Sequence, residues 1–184
     1  MFDPRGGRKY VSEDERLRYF KGTKADPDVS RRAFCLTLLY TGCRISEALN
    51  VTVNRVDVSQ QLVIFETLKR RQKGVFRSVP VPESLALLLG RLANGKDTSD
   101  RLWQFSRATA YRFVKNLMAE VGITGSMASP KGLRHGFAVA CIAKGIPLPT
   151  IQKWLGHASL QTTAIYLSVS GEEERDFARR LWFR

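Results

Sequence analysis

Apolar positions recur every three to four residues along most of the chain, and in one place the pattern changes to β-branched and aromatic runs. VSEDERLRYF opens the first helical stretch, with Ser12 as N-cap and Glu15 three residues on, the spacing of a capping box. GTKADPD is a loop. VSRRAFCLTLLYTG carries the next helical spacing, with Ser30 as its cap and Gly42 ending it, and RISEALNV reads as a short helix. QQLVIFETL and GVFRSVPVP are strand-like runs joined by basic KRRQK, a hairpin pattern in which Pro80 and Pro82 close the second strand. Beyond it the periodicity predicts helices over 83–93, 106–121, 132–144, 148–155, 159–168 and 172–182, with loops at NGKDTSD and GITGSMASP. No repeat or linker divides the chain. The expected fold is α+β and mostly α, with one small antiparallel sheet.

Composition sharpens the picture at one point. The 184 residues, 43% hydrophobic and 26% charged, suit one domain with a real core. The charge is less ordinary: 30 Lys+Arg against 17 Asp+Glu give +13, with a pI near 10.2. That excess points to a polyanionic partner, nucleic acid before anionic membrane. No apolar run approaches the roughly 18–20 residues of a spanning helix. MFDPRGGRKY is basic without an apolar stretch behind it, so it is not expected to be a secretory signal. Cys35, Cys43 and Cys141 lack metal-ligand spacing and read as buried free thiols in a reducing cytoplasm.

The candidate chemistry is scattered. Arg44 follows a helix-ending TGC and stands three residues before Glu47, where a plain surface pair is an equal reading. Lys69 to Lys73 form a basic tip between the two strands, and such tips are usually solvated. Lys131 and Arg134 are one helical turn apart and share a face. His157 could cap a helix end and Tyr166 could simply pack.

Taken together, these segments resemble the catalytic domain of the tyrosine recombinases, the phage-integrase family, from about Val11 to Tyr166. TGCRISEAL is similar to the box of the first catalytic arginine, which implies that role for Arg44 with Glu47 as its support. The family's hairpin lysine falls on Lys69 in TLKRR, with Lys73 as the rival. LRHGFAV resembles the second arginine box and gives Arg134; LGHASLQTTAIY resembles the last and gives His157 and the nucleophile Tyr166. The family usually has histidine three residues before the second arginine, whereas SPKGLRH has Lys131 there. Lys131 is therefore expected to contact phosphate as a cation, and the general base is left unassigned. His135 lies off the catalytic position and reads as structural.

The resemblance implies site-specific recombination through a 3′-phosphotyrosine, for integration, excision, inversion or resolution, with neither metal nor cofactor. Arg44, Arg134 and His157 would stabilise the phosphorane-like transition state, and Lys69 would protonate the leaving 5′-oxygen. Arg70, Arg71, Lys73 and Arg77 are expected on the backbone of double-stranded DNA. Residues 1–10 form a basic tail, 11–184 the catalytic domain, and 171–184 a C-terminal docking helix, without the family's N-terminal DNA-clamping domain; a fragment of a longer protein is the other reading. A homotetramer on DNA is expected, from a monomer in solution, with room for an accessory DNA-binding protein and a place in the cytoplasm at the nucleoid. Two alternatives stand beside this one. A type IB topoisomerase-like enzyme would relax DNA by the same tyrosine chemistry, and IPLPTIQKWLGHASLQTTAIYL also resembles a regulator's helix–turn–helix.

Overall fold

A computed structural model describes residues 4, 6–67, 74–168 and 178–179. Helices α1 (Glu13–Ala25), α2 (Val29–Thr41) and α3 (Ile45–Leu49) precede a sheet of β1 (Val56–Asp57), β2 (Leu62–Glu66) and β3 (Phe76–Pro80). Then follow α4 (Glu83–Ala93), α5 (Arg107–Glu120), α6 (Pro130–Ala143), α7 (Leu148–Leu155) and α8 (Leu160–Ala164), which runs into a 3-10 turn, Ile165–Ser168. The fold is mostly helical with a small antiparallel sheet, as the periodicity predicts. Among the described residues no helix is long and apolar enough to cross a membrane.

Local chemistry sets the element ends. Ser12 and Glu15 exchange hydrogen bonds in a complete capping box at α1. α2 begins one residue before the expected cap: Asp28, not Ser30, accepts from the Arg31 N–H at 2.9 Å. α6 begins at Pro130, two residues early, because Ser129 caps it and proline suits the first helical position. β1 is an additional strand, only two residues long, paired antiparallel to β2 through Val56↔Val63. The predicted 159–168 helix holds to Ala164 and then tightens into the 3-10 turn that carries Tyr166. The predicted 172–182 helix lies outside the described residues except Ala178 and Arg179, which are helical.

The main core gathers around α2, where Phe34, Leu38 and Leu39 are buried. Phe34 meets Trp103 and Phe105 edge-on, each at 5.2 Å between ring centroids. Trp103 Nε1 donates to the Ala48 carbonyl at 2.7 Å, which ties α3 to this core. A second apolar cluster joins Phe137 and Ala138 of α6 to Ile151 and Leu155 of α7, with Tyr10 and Tyr166. Gly42 ends α2 in the left-handed conformation (φ 59°), and a Cβ there would lie 2.5 Å from the Phe137 ring. α2 and α6 can therefore pack closely where Arg44 and Arg134 emerge. All three cysteines are buried and free; burial pushes the thiols of Cys35 and Cys141 up to about 11 and that of Cys43 to about 12.

Candidate active site

A cleft of about 760 Å³ opens where α3, α5, α6 and the 3-10 turn meet, lined by Arg44, Lys131, Arg134, His135, His157 and Tyr166 among others. Arg107, at the start of α5, adds a fourth Arg or Lys, and among the described residues lining the cleft none is a carboxylate. Such a cleft favours anions.

Arg44 sits at the N-cap of α3, and Glu47 holds it from the first turn. The Arg44 amide donates to Glu47 Oε2 at 2.8 Å and its guanidinium to Oε1 at 2.6 Å. Glu47 has a second cation, since Arg77 Nη2 donates to Oε2 at 2.6 Å. Burial alone would raise the Glu47 carboxyl, but Arg77 and Arg44 together bring it below its ordinary value. Glu47 is thus a buried anion that fixes both arginines.

Arg77, expected on the DNA backbone, has a side chain that is only 4% exposed and is engaged within the protein. Strand alternation explains why: Arg77 and Val79 share the inner face of β3, with Arg77 opposite Phe65. Besides Glu47, its guanidinium donates to the Trp154 carbonyl at 2.7 Å and to Thr67 Oγ1 at 3.1 Å. It also lies over the Phe65 ring at 5.3 Å and passes beneath Gly156. Gly156 ends α7 in the left-handed conformation (φ 66°), and a Cβ there would come within 2.9 Å of Arg77 Nη1. Arg77 is therefore a tie between the hairpin, α3 and the turn that presents His157.

Arg134 projects from α6 and is buried. Its Nη1 donates to the Gly42 carbonyl and its Nη2 to the Leu155 carbonyl, both at 2.8 Å, so the ends of α2 and α7 orient the fork. Burial and then Arg44 lower its pKa to about 10, which leaves it charged at neutral pH. The α7 turn places His157, whose amide donates to the Gln152 carbonyl at 3.1 Å. His157 Nδ1 meets Thr163 Oγ1 at 2.9 Å, and its ring stacks near Tyr166 at 6.3 Å between centroids. Burial, Arg134 and Arg44 lower its pKa to about 4, so the imidazole is neutral at neutral pH. In the tautomer in which the Thr163 hydroxyl donates to Nδ1, Nε2 carries the proton and can donate to an anion.

Tyr166 is 1% exposed. Burial raises its phenol above the ordinary value, with Arg134 and Arg44 opposing. Its hydroxyl lies 2.9 Å from His135 Nδ1. His135, read as structural from sequence, thus reaches the tyrosine oxygen. Its spacing of four from Lys131 puts both on one face of α6, a signal present in the sequence. Thr163 and Thr67 are the other polar partners that sequence reasoning missed. Lys69, Arg70, Arg71 and Lys73 lie outside the described residues.

Arg44, Arg134, His157 and Tyr166 therefore converge from separated segments on one cationic cleft. The phage integrase family model matches residues 9–173. The chain belongs to the phage integrase family. Among relatives, the tyrosine recombinase XerA of Saccharolobus solfataricus is 32% identical over 89% of this chain and 54% of its own length. The tyrosine recombinase XerD of Brucella abortus is 37% identical over 74% of this chain and 47% of its own. The chain thus spans about half the length of these two relatives. The crystal structure of XerA recombinase superposes with a TM-score of 0.80 at 28% identity, over 95% of this chain and 65% of that one. This integrase-family fold also weakens the helix–turn–helix regulator reading. α8, the would-be recognition helix, is only five residues long, and the 3-10 turn behind it buries Tyr166.

Proposed function

We propose that this chain carries the catalytic part of a site-specific DNA recombinase. The observation that supports it most is the convergence of two guanidiniums, a neutral imidazole and a tyrosine hydroxyl in a cleft where, among the described residues, no carboxylate lines the wall. Tyr166 attacks the scissile phosphorus, forming a 3′-phosphotyrosyl bond and releasing a 5′-hydroxyl. The 5′-hydroxyl of a partner strand then reverses the step, so the bond energy is kept. Arg44 and Arg134 meet the charge gathering on the non-bridging oxygens, His157 Nε2 donates to the same oxygens, and Lys131 adds a cation at the rim. Lys69, with Lys73 as the rival, protonates the leaving oxygen. Arg70, Arg71 and Lys73 hold the DNA backbone. Four copies assemble on two duplexes through segment 171–184, with an accessory DNA-binding protein where one domain grips the duplex too weakly. This activity places the protein with the chromosome.

The test uses the full-length protein and nicked suicide duplexes built from inverted repeats flanking its gene. The expected result is a covalent protein–DNA adduct that Tyr166→Phe abolishes while DNA binding is retained. An adduct from that variant would overturn the assignment of the nucleophile. Relaxation of supercoils without exchange between two sites would assign the topoisomerase-like activity instead.

A further inference from the structure

We propose that His135 is the base of the cleavage step: as the Tyr166 oxygen bonds to phosphorus, its proton passes to His135 Nδ1. This rests on the phosphotyrosine chemistry proposed above and names the group which that chemistry leaves open.

The geometry is direct. His135 Nδ1 and the Tyr166 hydroxyl are 2.9 Å apart, and the two rings lie 5.6 Å apart at a 54° tilt, which aims nitrogen at oxygen without stacking. The other side chains near the tyrosine are less suited. His157 lies parallel to the Tyr166 ring at 12° and has its Nδ1 against Thr163. Arg44 and Arg134 are cations with no lone pair to offer, and so is the ammonium form of Lys131. His135 faces Lys131 and Arg134 on its own helix, Lys9 from the N-terminal segment and Tyr166 from the 3-10 turn. Burial and then those three cations lower its pKa to about 4, so a lone pair is present at neutral pH. The tautomer with the proton on Nε2 directs that lone pair at the phenol.

A low pKa makes a weak base, and the substrate corrects it. A phosphodiester anion entering the cleft offsets the cations that depress His135, while the phenol grows more acidic as its oxygen bonds to phosphorus. The step balances. Tyr Oη–P forms, P–O5′ breaks, the phenol proton moves to His135, and the departing O5′ takes a proton from the hairpin acid. In the reverse step His135 returns the proton to Tyr166.

The experiment follows single-turnover adduct formation by the full-length protein on a suicide duplex carrying sulfur at the scissile 5′ position. Thiolate leaves without a proton, so the leaving-group side is silent. His135→Asn sets an amide oxygen near the place of Nδ1, keeping the hydrogen bond but not the proton acceptor. It should bind DNA normally yet form adduct ~10²-fold or more slowly, on sulfur and oxygen substrates alike. The wild-type rate should level off with rising pH, whereas that of His135→Asn should climb roughly tenfold per pH unit as hydroxide takes over. Added imidazole should restore the rate of His135→Gly in proportion to its concentration. A His135→Asn rate within about threefold of wild type, with the same pH profile, would overturn the proposal and leave His135 a packing residue. If neither variant folds by circular dichroism, the wild-type profile decides: a plateau supports the proposal, and a rate that climbs without one to about pH 9 overturns it. Tyr166→Phe keeps the two hypotheses apart. An adduct from wild type and none from Tyr166→Phe upholds the phosphotyrosine function whatever His135 does, and no adduct from wild type removes both.

Discussion

Arg77 offers the sharpest test of how the site is held, because it touches three of its elements without lining the catalytic cleft. Arg77→Met keeps most of the side-chain volume and removes the charge. It leaves Glu47, with a side chain that has no solvent exposure, to Arg44 alone, and removes the donors to Trp154 and Thr67. Breaking one side of a buried ion pair costs about 3–5 kcal/mol, mostly through the charge left behind. For a chain of this length that corresponds to a fall in Tm of about 6–20 °C. The pH dependence identifies the cause. In the wild type the Glu47 pKa lies below its unfolded value of 4.5, so its contribution is present above that pH and lost as pH falls through the folded value. Without Arg77 burial prevails and the pKa rises above the unfolded value. The variant's penalty is then greatest at neutral pH and is relieved as the carboxyl takes a proton. Denaturant unfolding of both proteins from about pH 7 to about pH 4 should show the gap narrowing. Adding Glu47→Gln to Arg77→Met should cost less than the sum of the two single changes. A gap under about 1 kcal/mol at neutral pH, or one constant with pH, would refute the reasoning.

Arg44→Ala and Arg134→Ala should each slow adduct formation by ~10²-fold or more with DNA binding largely kept; a loss under about tenfold in single-turnover assays would count against direct charge stabilisation. DNA affinity should fall steeply with salt, with a log–log slope of about −0.9 per neutralised phosphate, and a flat titration by fluorescence anisotropy would contradict a backbone-dominated interface. The 5′-thiol duplex should rescue cleavage by Lys69→Ala, and rescue of Lys73→Ala alone would move the acid role. Deleting residues 171–184 should leave single-site binding intact but impair synapsis and strand exchange; unchanged tetramers of the folded truncation in ultracentrifugation would exclude that role.

What the sequence made legible was mostly what is local. α4 and α7 fall on their predicted bounds because Pro82 and Pro147 start them and Gly156 stops α7. Glu47 was readable as the partner of Arg44 because three residues on a helix make neighbours. Its second partner was not, since Arg77 is thirty residues away and arrives through strand pairing. Position-two alternation with Val79 did announce that Arg77 faces inward, but a charge on a basic hairpin reads naturally as solvated. Nothing in LQTTAIYLSV separates a continuing α-helix from the 3-10 turn, a difference decided by what Tyr166 packs against. The hydroxyl's partner depended on that turn, so His135 was named in the sequence as structural, without its contact to Tyr166.

One electrostatic imbalance underlies the perturbed groups of the site. Glu47 is a carboxylate beside Arg44 and Arg77, while among the described residues Arg134 is buried with two carbonyl acceptors and no ion pair. Burial and neighbouring cations together lower Arg134 to about 10 and both histidines to about 4. Each of these shifts marks a proton or charge that burial and the neighbouring cations disfavour. A guanidinium has five N–H donors, and two on Arg134 are fixed on protein carbonyls, so the fork is oriented before any substrate arrives. On the function proposed above, a phosphodiester would bring negative charge to this cationic cleft. Its transition state supplies more of it, which is the difference that accelerates a reaction rather than merely tightening binding. If the proposed phosphotyrosine chemistry holds, the same anion would relieve the histidines, raising the affinity of His135 for a proton at the stage when Tyr166 would give one up.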